Sequence, residues 1–210
     1  MKNSRTILGC LISILLVMLL AQNADATVVS FEDLSLGATY HVGNSFTTSG
    51  VAITGQQFFL LPSGSTTGGS ADVENGLLAG GAGKEMHTDN INLSFNFGSA
   101  LNGLTLQYGE YGGNINLEIN GALANVQNFF DVPASLGGTS IFTFDTGPHG
   151  NSKGVMVIIG NINSFKIGGQ ELYLDNMVCS QVPIPEPATL VLLSLGALSL
   201  LRRGRNNVIK

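Results

Sequence analysis

The sequence predicts an all-β domain, a β-sandwich of jelly-roll type, flanked by an N-terminal signal peptide and a short C-terminal hydrophobic helix. Three observations predict it. Apolar residues alternate with asparagine and serine in several short runs, the period of a strand with one buried face. Glycine and asparagine clusters punctuate those runs at short intervals, as turns between strands require. No stretch between the two ends sustains a 3.6 period, so helices are not expected there. Many short strands separated by such turns indicate a sandwich.

Residues 1–26 read as the signal peptide. Lys2 and Arg5 form a positive n-region, Ile7–Leu20 an apolar h-region, and Ala24-Asp25-Ala26 an A-x-A cleavage site before Thr27. Fourteen residues of helix rise about 21 Å, short of a hydrocarbon core of about 30 Å, so a spanning anchor is disfavoured. Cys10 leaves with the signal, and the mature chain keeps Cys179 alone, which forbids an internal disulfide. A small buried residue at a strand end is the expected role of Cys179.

Residues 27–181 make one domain, large enough to bury about 68–70% of its unfolded surface. Three lysines (Lys84, Lys153, Lys166) face twelve carboxylates there, a net of −9. Such a surface repels phosphate backbones and excludes nucleic acid as a partner. Tryptophan is absent and 11% of residues are charged, unlike a charged helical protein or coiled coil.

Within the domain, Ile91, Leu93, Phe95 and Phe97 alternate with Asn92, Ser94 and Asn96. The alternation returns at Leu104, Leu106 and Tyr108 and at Ile115, Leu117 and Ile119. Asn120-Gly121 then predicts a two-residue hairpin leading into Ala122-Leu123-Ala124, because both turn residues tolerate positive φ. Val155–Ile159, Ile162–Ile167 and Leu172–Val178 read as the last strands. The repeated Asn-Ile-Asn-Leu at 90–93 and 114–117, echoed at Asn161-Ile162-Asn163, has no constant period and reads as exposed asparagines on hairpin strands. Residues 62–84, rich in glycine, read as a mobile surface loop.

Several catalytic signatures fail on context. Gly150-Asn151-Ser152-Lys153-Gly154 matches G-x-S-x-G beside His149, but a strand rather than a helix follows the serine, so a turn is expected. Gly83-Lys84 lacks a Ser or Thr at Glu85 and the leading glycine at Leu78, so it is no P-loop. His41, His87 and His149 show no zinc spacing. Asn92-Leu93-Ser94 is a glycosylation sequon by letters, placed inside a strand. A glycosidase would need paired carboxylates such as Glu110 and Glu118 in one cleft, and Gly112-Gly113 predicts a turn between them.

Residues 182–210 carry the most information. Pro183, Pro185 and Pro187 alternate with Ile184 and Glu186 in an extended, helix-resistant strip. Ala188–Leu201 follows, and its eight strongly apolar residues favour membrane insertion by about 2.5 to 5 kcal/mol. Arg202, Arg203 and Arg205 form a stop expected to stay cytoplasmic.

This arrangement resembles the PEP-CTERM sorting signal of Gram-negative bacteria that use exosortase, in Val182-Pro183, in Pro185-Glu186-Pro187, in the apolar length and in the terminal arginines. The resemblance implies that the tail inserts transiently in the inner membrane. A membrane-embedded exosortase would then recognise it, cleave near Pro-Glu-Pro and release the remainder to the outer envelope or to extracellular polysaccharide. The catalytic residues of that step would belong to the exosortase.

Phe31-Glu32-Asp33 at the opening of the domain and Glu171-Leu172-Tyr173-Leu174-Asp175-Asn176 at its close are similar to the terminal strands of jelly-roll carbohydrate-binding modules. That resemblance implies a structural calcium held by Glu32 and Asp175 with backbone carbonyls. The whole reading is a non-enzymatic, exported, structural or adhesive protein of the cell surface or biofilm matrix. The competing reading is a glycan-binding module stacking sugars on Tyr108, Tyr111 or Tyr173.

Overall fold

The computed structural model describes residues 26–60, 63–66, 68–147 and 151–181. The signal peptide to Asp25, His149, Gly150, and everything from Val182 onward, including the expected C-terminal helix, lie outside the described residues. The strands are β1 (Ala26–Val29), β2 (Thr39–His41), β3 (Ser45–Thr48), β4 (Val51–Leu60), β5 (Gly64–Thr66), β6 (Ser70–Glu74) and β7 (Glu85–Asp89). There follow β8 (Ile91–Asn96), β9 (Leu101–Ile119), β10 (Ala122–Val126), β11 (Ser135–Leu136), β12 (Thr139–Asp145), β13 (Ser152–Ile162) and β14 (Phe165–Gln181). A single 3₁₀ turn, Phe129–Asp131, is the only helical element among the described residues.

The all-β expectation is met, with every strand pair antiparallel. Hydrogen bonds join the strands into one sheet ordered β11-β12-β13-β9-β14-β7-β6-β2. From the same two long strands, β9 and β14, a second arm runs out through β8 to β4 and β3, and β10 lies on the free side of β9. This hydrogen bonding makes one large antiparallel sheet.

The register forces that sheet to fold back. Ile162 pairs with Leu101 at the start of β9, and Phe165 pairs with Ile119 at its end. A straight strand of 19 residues is about 60 Å long, whereas three residues reach at most about 11 Å. So β9 bends sharply in its middle. The bend is at Gly112-Gly113, with Gly113 at φ 72, and β14 shifts register opposite it between Gly169 and Leu172. Gln170 Oε1 accepts the Asn114 N–H (2.8 Å) across the kink. The expected turn is therefore a kink within one strand.

That kink also changes which residues face inward. Before it Leu104, Leu106 and Tyr108 are buried, and after it Ile115, Leu117 and Ile119 are. Even numbers face the core on one side and odd numbers on the other. Both arms feed one apolar cluster, which includes Met86, Ile91, Leu93, Met156, Ile158, Phe165, Ile167 and Leu174.

Asn120 (φ 52) and Gly121 (φ 79) make the expected hairpin turn between β9 and β10. Asn120 also clamps its neighbours. Its Nδ2 donates to Gly137 O (2.8 Å) and Asn161 O (2.7 Å), and its Oδ1 accepts the Asn163 N–H (2.7 Å). The chain reverses at Asn163-Ser164, so Ile162–Ile167 is not one strand, and Leu172–Val178 is the middle of the 17-residue β14. Within residues 62–84, expected as loop throughout, Ser70–Glu74 forms β6 and pairs with β7.

The asparagines expected on the surface are a further correction. Asn92 and Asn116 are buried. They lie in one cross-strand row, Gln56–Asn92–Gly168–Asn116–Asn125, on the face of β8, β14 and β9 away from the apolar cluster. The end of β4 covers this row, for Asn92 Nδ2 donates to Gln57 O (2.6 Å) and Asn125 Nδ2 to Phe59 O (2.7 Å). Gly168 leaves room for the Asn92 side chain, because a Cβ there would lie 2.6 Å from Asn92 Oδ1.

Candidate functional site

A polar cluster lies where the loop between β6 and β7, residues 75–84, crosses β7, β14, β9 and β13. Glu85, buried at the start of β7, folds the loop back: its carboxylate accepts the N–H groups of Leu78 (2.9 Å) and Ala79 (2.7 Å). Tyr111 donates its hydroxyl to Leu78 O (3.0 Å), and Lys153 Nζ donates to Leu77 O (2.5 Å). Gly109 forms the floor, because a Cβ there would overlap Leu78 O.

Asp175 sits beneath the same loop with 1% of its surface exposed. Burial, reinforced by the Glu85 and Glu32 charges, pushes its carboxyl up to about 6, against the N–H donors of Asn176 and Ala82. Its Oδ1 accepts the Asn176 N–H (2.7 Å), while Asn176 Nδ2 reaches both Asp175 Oδ2 (3.2 Å) and Gln107 Oε1 (2.9 Å). Glu32 Oε1 accepts the Lys84 N–H (2.7 Å), and Lys84 Nζ bridges Glu32 O (2.7 Å) and Leu34 O (2.6 Å). Side chains at Gly81 and Gly83 would overlap the Asp175 and Glu32 carboxylates respectively.

The structure thus brings Glu32 and Asp175 to one loop, two residues apart along it. The donor set does not suit calcium, which needs six to eight free oxygens. Both Asp175 oxygens face N–H groups, and the backbone carbonyls of Glu32 and Leu34 already hold the Lys84 ammonium. Among the described residues no group of three or more His, Cys, Asp or Glu side chains gathers as a metal site. The cluster is chemically a clasp that fastens the loop to the sheet. Sequence reasoning met Glu85 only as the residue that spoils a P-loop; an acidic side chain after a glycine-rich run was the available signal.

Of the three tyrosines considered for sugar stacking, Tyr108 and Tyr173 are buried and Tyr111 is half-buried. Tyr108 is fully buried, its hydroxyl bonded to Asp145 and its ring centroid 4.0 Å from that of Phe129. Burial first, then Asp145, raises its phenol well above the usual range. Tyr173, 7% exposed, stacks on His87 at 4.3 Å and meets Tyr111 edge-on at 5.6 Å. Burial and the Glu74 and Glu171 charges push Tyr173 up to about 12.

Glu110 is buried and accepts the Phe129 N–H (2.7 Å), whereas Glu118 pairs with Lys166 (2.8 Å). The kink between them points the two carboxylates to opposite faces, so they form no acid pair. Ser152 opens β13 with no helix after it. His41 Nδ1 lies 3.3 Å from Gly69 O and His87 Nδ1 3.1 Å from Glu74 Oε1. Cys179 is buried, and burial pushes its thiol up to about 12. A surface depression bounded by Phe95, Phe97, Ala100 and Ser164 has no titratable side chain in its lining.

The sorting strip Val182, Pro183, Pro185, Glu186 and Pro187, the stop Arg202, Arg203 and Arg205, and Ala24 of the cleavage site lie outside the described residues, while Ala26 begins β1. Among the described residues no helix is long and apolar enough to cross a membrane. What the fold and its clasp define is an antiparallel β domain. Residues 183–206, beyond it, match the model of the PEP-CTERM protein-sorting motif. The chain is thereby an exosortase-targeted, exported protein associated with the cell envelope. Among curated proteins and among solved structures, none matches the chain.

Proposed function

We propose that this is a non-enzymatic structural or adhesive component of the cell surface or exopolysaccharide matrix of a Gram-negative-type bacterium. The tail holds the chain transiently in the inner membrane until exosortase cuts near Pro185-Glu186-Pro187. The two arms of the bent sheet act as the layers of a β-sandwich that survives outside the cell. The observation carrying this reading is a sorting motif joined to a domain whose inner carboxylates are committed to its own backbone, as Glu85 is to Leu78 and Ala79 and Glu110 to Phe129. A buried carboxylate bonded in this way stabilises the fold. The test is the localisation of the chain with and without its exosortase, and with Pro185-Glu186-Pro187 scrambled. The account expects surface delivery only when enzyme and strip are both intact; delivery of the scrambled chain contradicts it.

A further inference from the structure

One outer face of the sheet is apolar and open. Across β12, β13, β9, β14 and β1 the register aligns Phe142–Val157–Thr105–Val178–Val28, beside Ser140–Ile159–Gly103–Ser180–Ala26. Phe142 (49% exposed), Phe144 (60%), Ile159 (55%), Val178 (36%) and Val28 (47%) stand out from it. Their neighbours along each strand, Ile141, Met156, Ile158, Met177, Cys179 and Val29, point into the core, so the face is a true outer surface. The two rings alone leave about 200 Å² of aromatic surface to solvent. Neither of these two rows contains a charged residue, and the next, Phe144–Val155–Gln107–Asp175, holds its one carboxylate buried beneath the clasp loop; contiguous exposed apolar surface of this kind marks an interaction site.

The chain's connections say what the face meets. Ala26 pairs with Ser180, so β1 begins and β14 ends at the same end of the sheet, beside these two rows. The apolar run Ala188–Leu201 begins seven residues after Gln181, and an extended proline-rich linker of that length reaches about 20 Å. A tail inserted in a bilayer therefore holds this face at high effective concentration over lipid. A second copy is the poorer partner, since the tail tethers the domain to lipid and to no neighbouring chain.

We propose that the face built from Val28, Phe142, Phe144, Ile159 and Val178 rests on the lipid surface while the tail is inserted. The inference rests on the sorting reading above. Because the chain has no tryptophan, Phe144→Trp gives a single fluorescent reporter at an exposed position. Leu123→Trp, on β10 opposite Glu118 and on the outer face of the other arm, is the control, and Ile159→Trp is a second reporter on the proposed face. The exported chain with its tail intact is reconstituted into phosphatidylcholine vesicles and floated, and emission is read with and without brominated lipid. Flotation with blue-shifted emission, quenched at positions 144 and 159 several-fold more than at 123, is expected. Flotation with equal quenching at all three overturns the docking face and leaves the sorting reading standing, whereas a chain that does not float overturns both. A blue shift without quenching that grows with protein concentration assigns the face to a second copy, and one that appears only on adding soluble polysaccharide assigns it to glycan; either overturns the lipid assignment.

Discussion

Replacing Asp175 by Asn perturbs the clasp at its least comfortable charge. An unconstrained aspartate titrates near 3.8, and Asp175 is pushed up to about 6 by burial, then by Glu85 and Glu32. The folded state therefore binds this proton more tightly than the unfolded chain does. Below the unfolded value both states are protonated and the full benefit is present. As pH rises through about 4 to 6 the unfolded chain ionises first, so stability falls, and above the folded value the loss is complete. The difference between the two values corresponds to about 3 kcal/mol. Asp175→Asn keeps the shape and an acceptor for Asn176 but removes the titration. Its stability relative to the unaltered chain should improve by about 3 kcal/mol between pH 4 and pH 7. For a domain of this size that moves the gap in Tm by about 6–12 °C. Thermal or urea unfolding of both chains across that range is the assay. Parallel pH profiles would refute the assignment of a raised Asp175.

Other consequences are equally concrete. Adding millimolar calcium or EDTA should leave Tm unchanged, because N–H donors and the Lys84 ammonium occupy the Glu32–Asp175 region; a rise of several degrees with calcium would overturn that. Gly168→Ala places a Cβ against Ile91 O and the Asn92 side chain, so unfolding should be easier by about 1–3 kcal/mol, whereas Gly68→Ala, with open space around it, should unfold as the unaltered chain does. Cys179 should resist thiol reagents until the domain is unfolded, since it is buried with its thiol pushed up to about 12; native-state labelling at the rate of a free thiol would contradict its placement on the core side of β14.

The sequence made much of this fold legible where local geometry decides it. Asn120-Gly121 was readable because few other pairs accept positive φ twice in succession. The run at 104–108 was readable because its alternation survives into the burial pattern, and at 91–95 and 115–119 the apolar residues are buried as their period predicts. Gly112-Gly113 was misread because a glycine pair serves a turn and a kink equally, and only the pairing of Ile162 with Leu101 and of Phe165 with Ile119 distinguishes them. Asn92 and Asn116 were misread because polar residues opposite an apolar face normally meet water, and here a distant segment, Gln57 to Phe59, covers them. At the clasp, Glu32 and Asp175 were visible from the ends of the domain. Glu85 and the donors that fill the carboxylates depend on how one loop lies across four strands, which no local pattern encodes.

The central claim is that the tail is an address removed on delivery. Intact-mass and C-terminal peptide spectrometry of the chain recovered from the cell surface tests it most directly. The account predicts a polypeptide beginning at Thr27 and ending near Pro185-Glu186-Pro187, without Arg202, Arg203 and Arg205. Surface-located chain that still ends at Lys210 would contradict it.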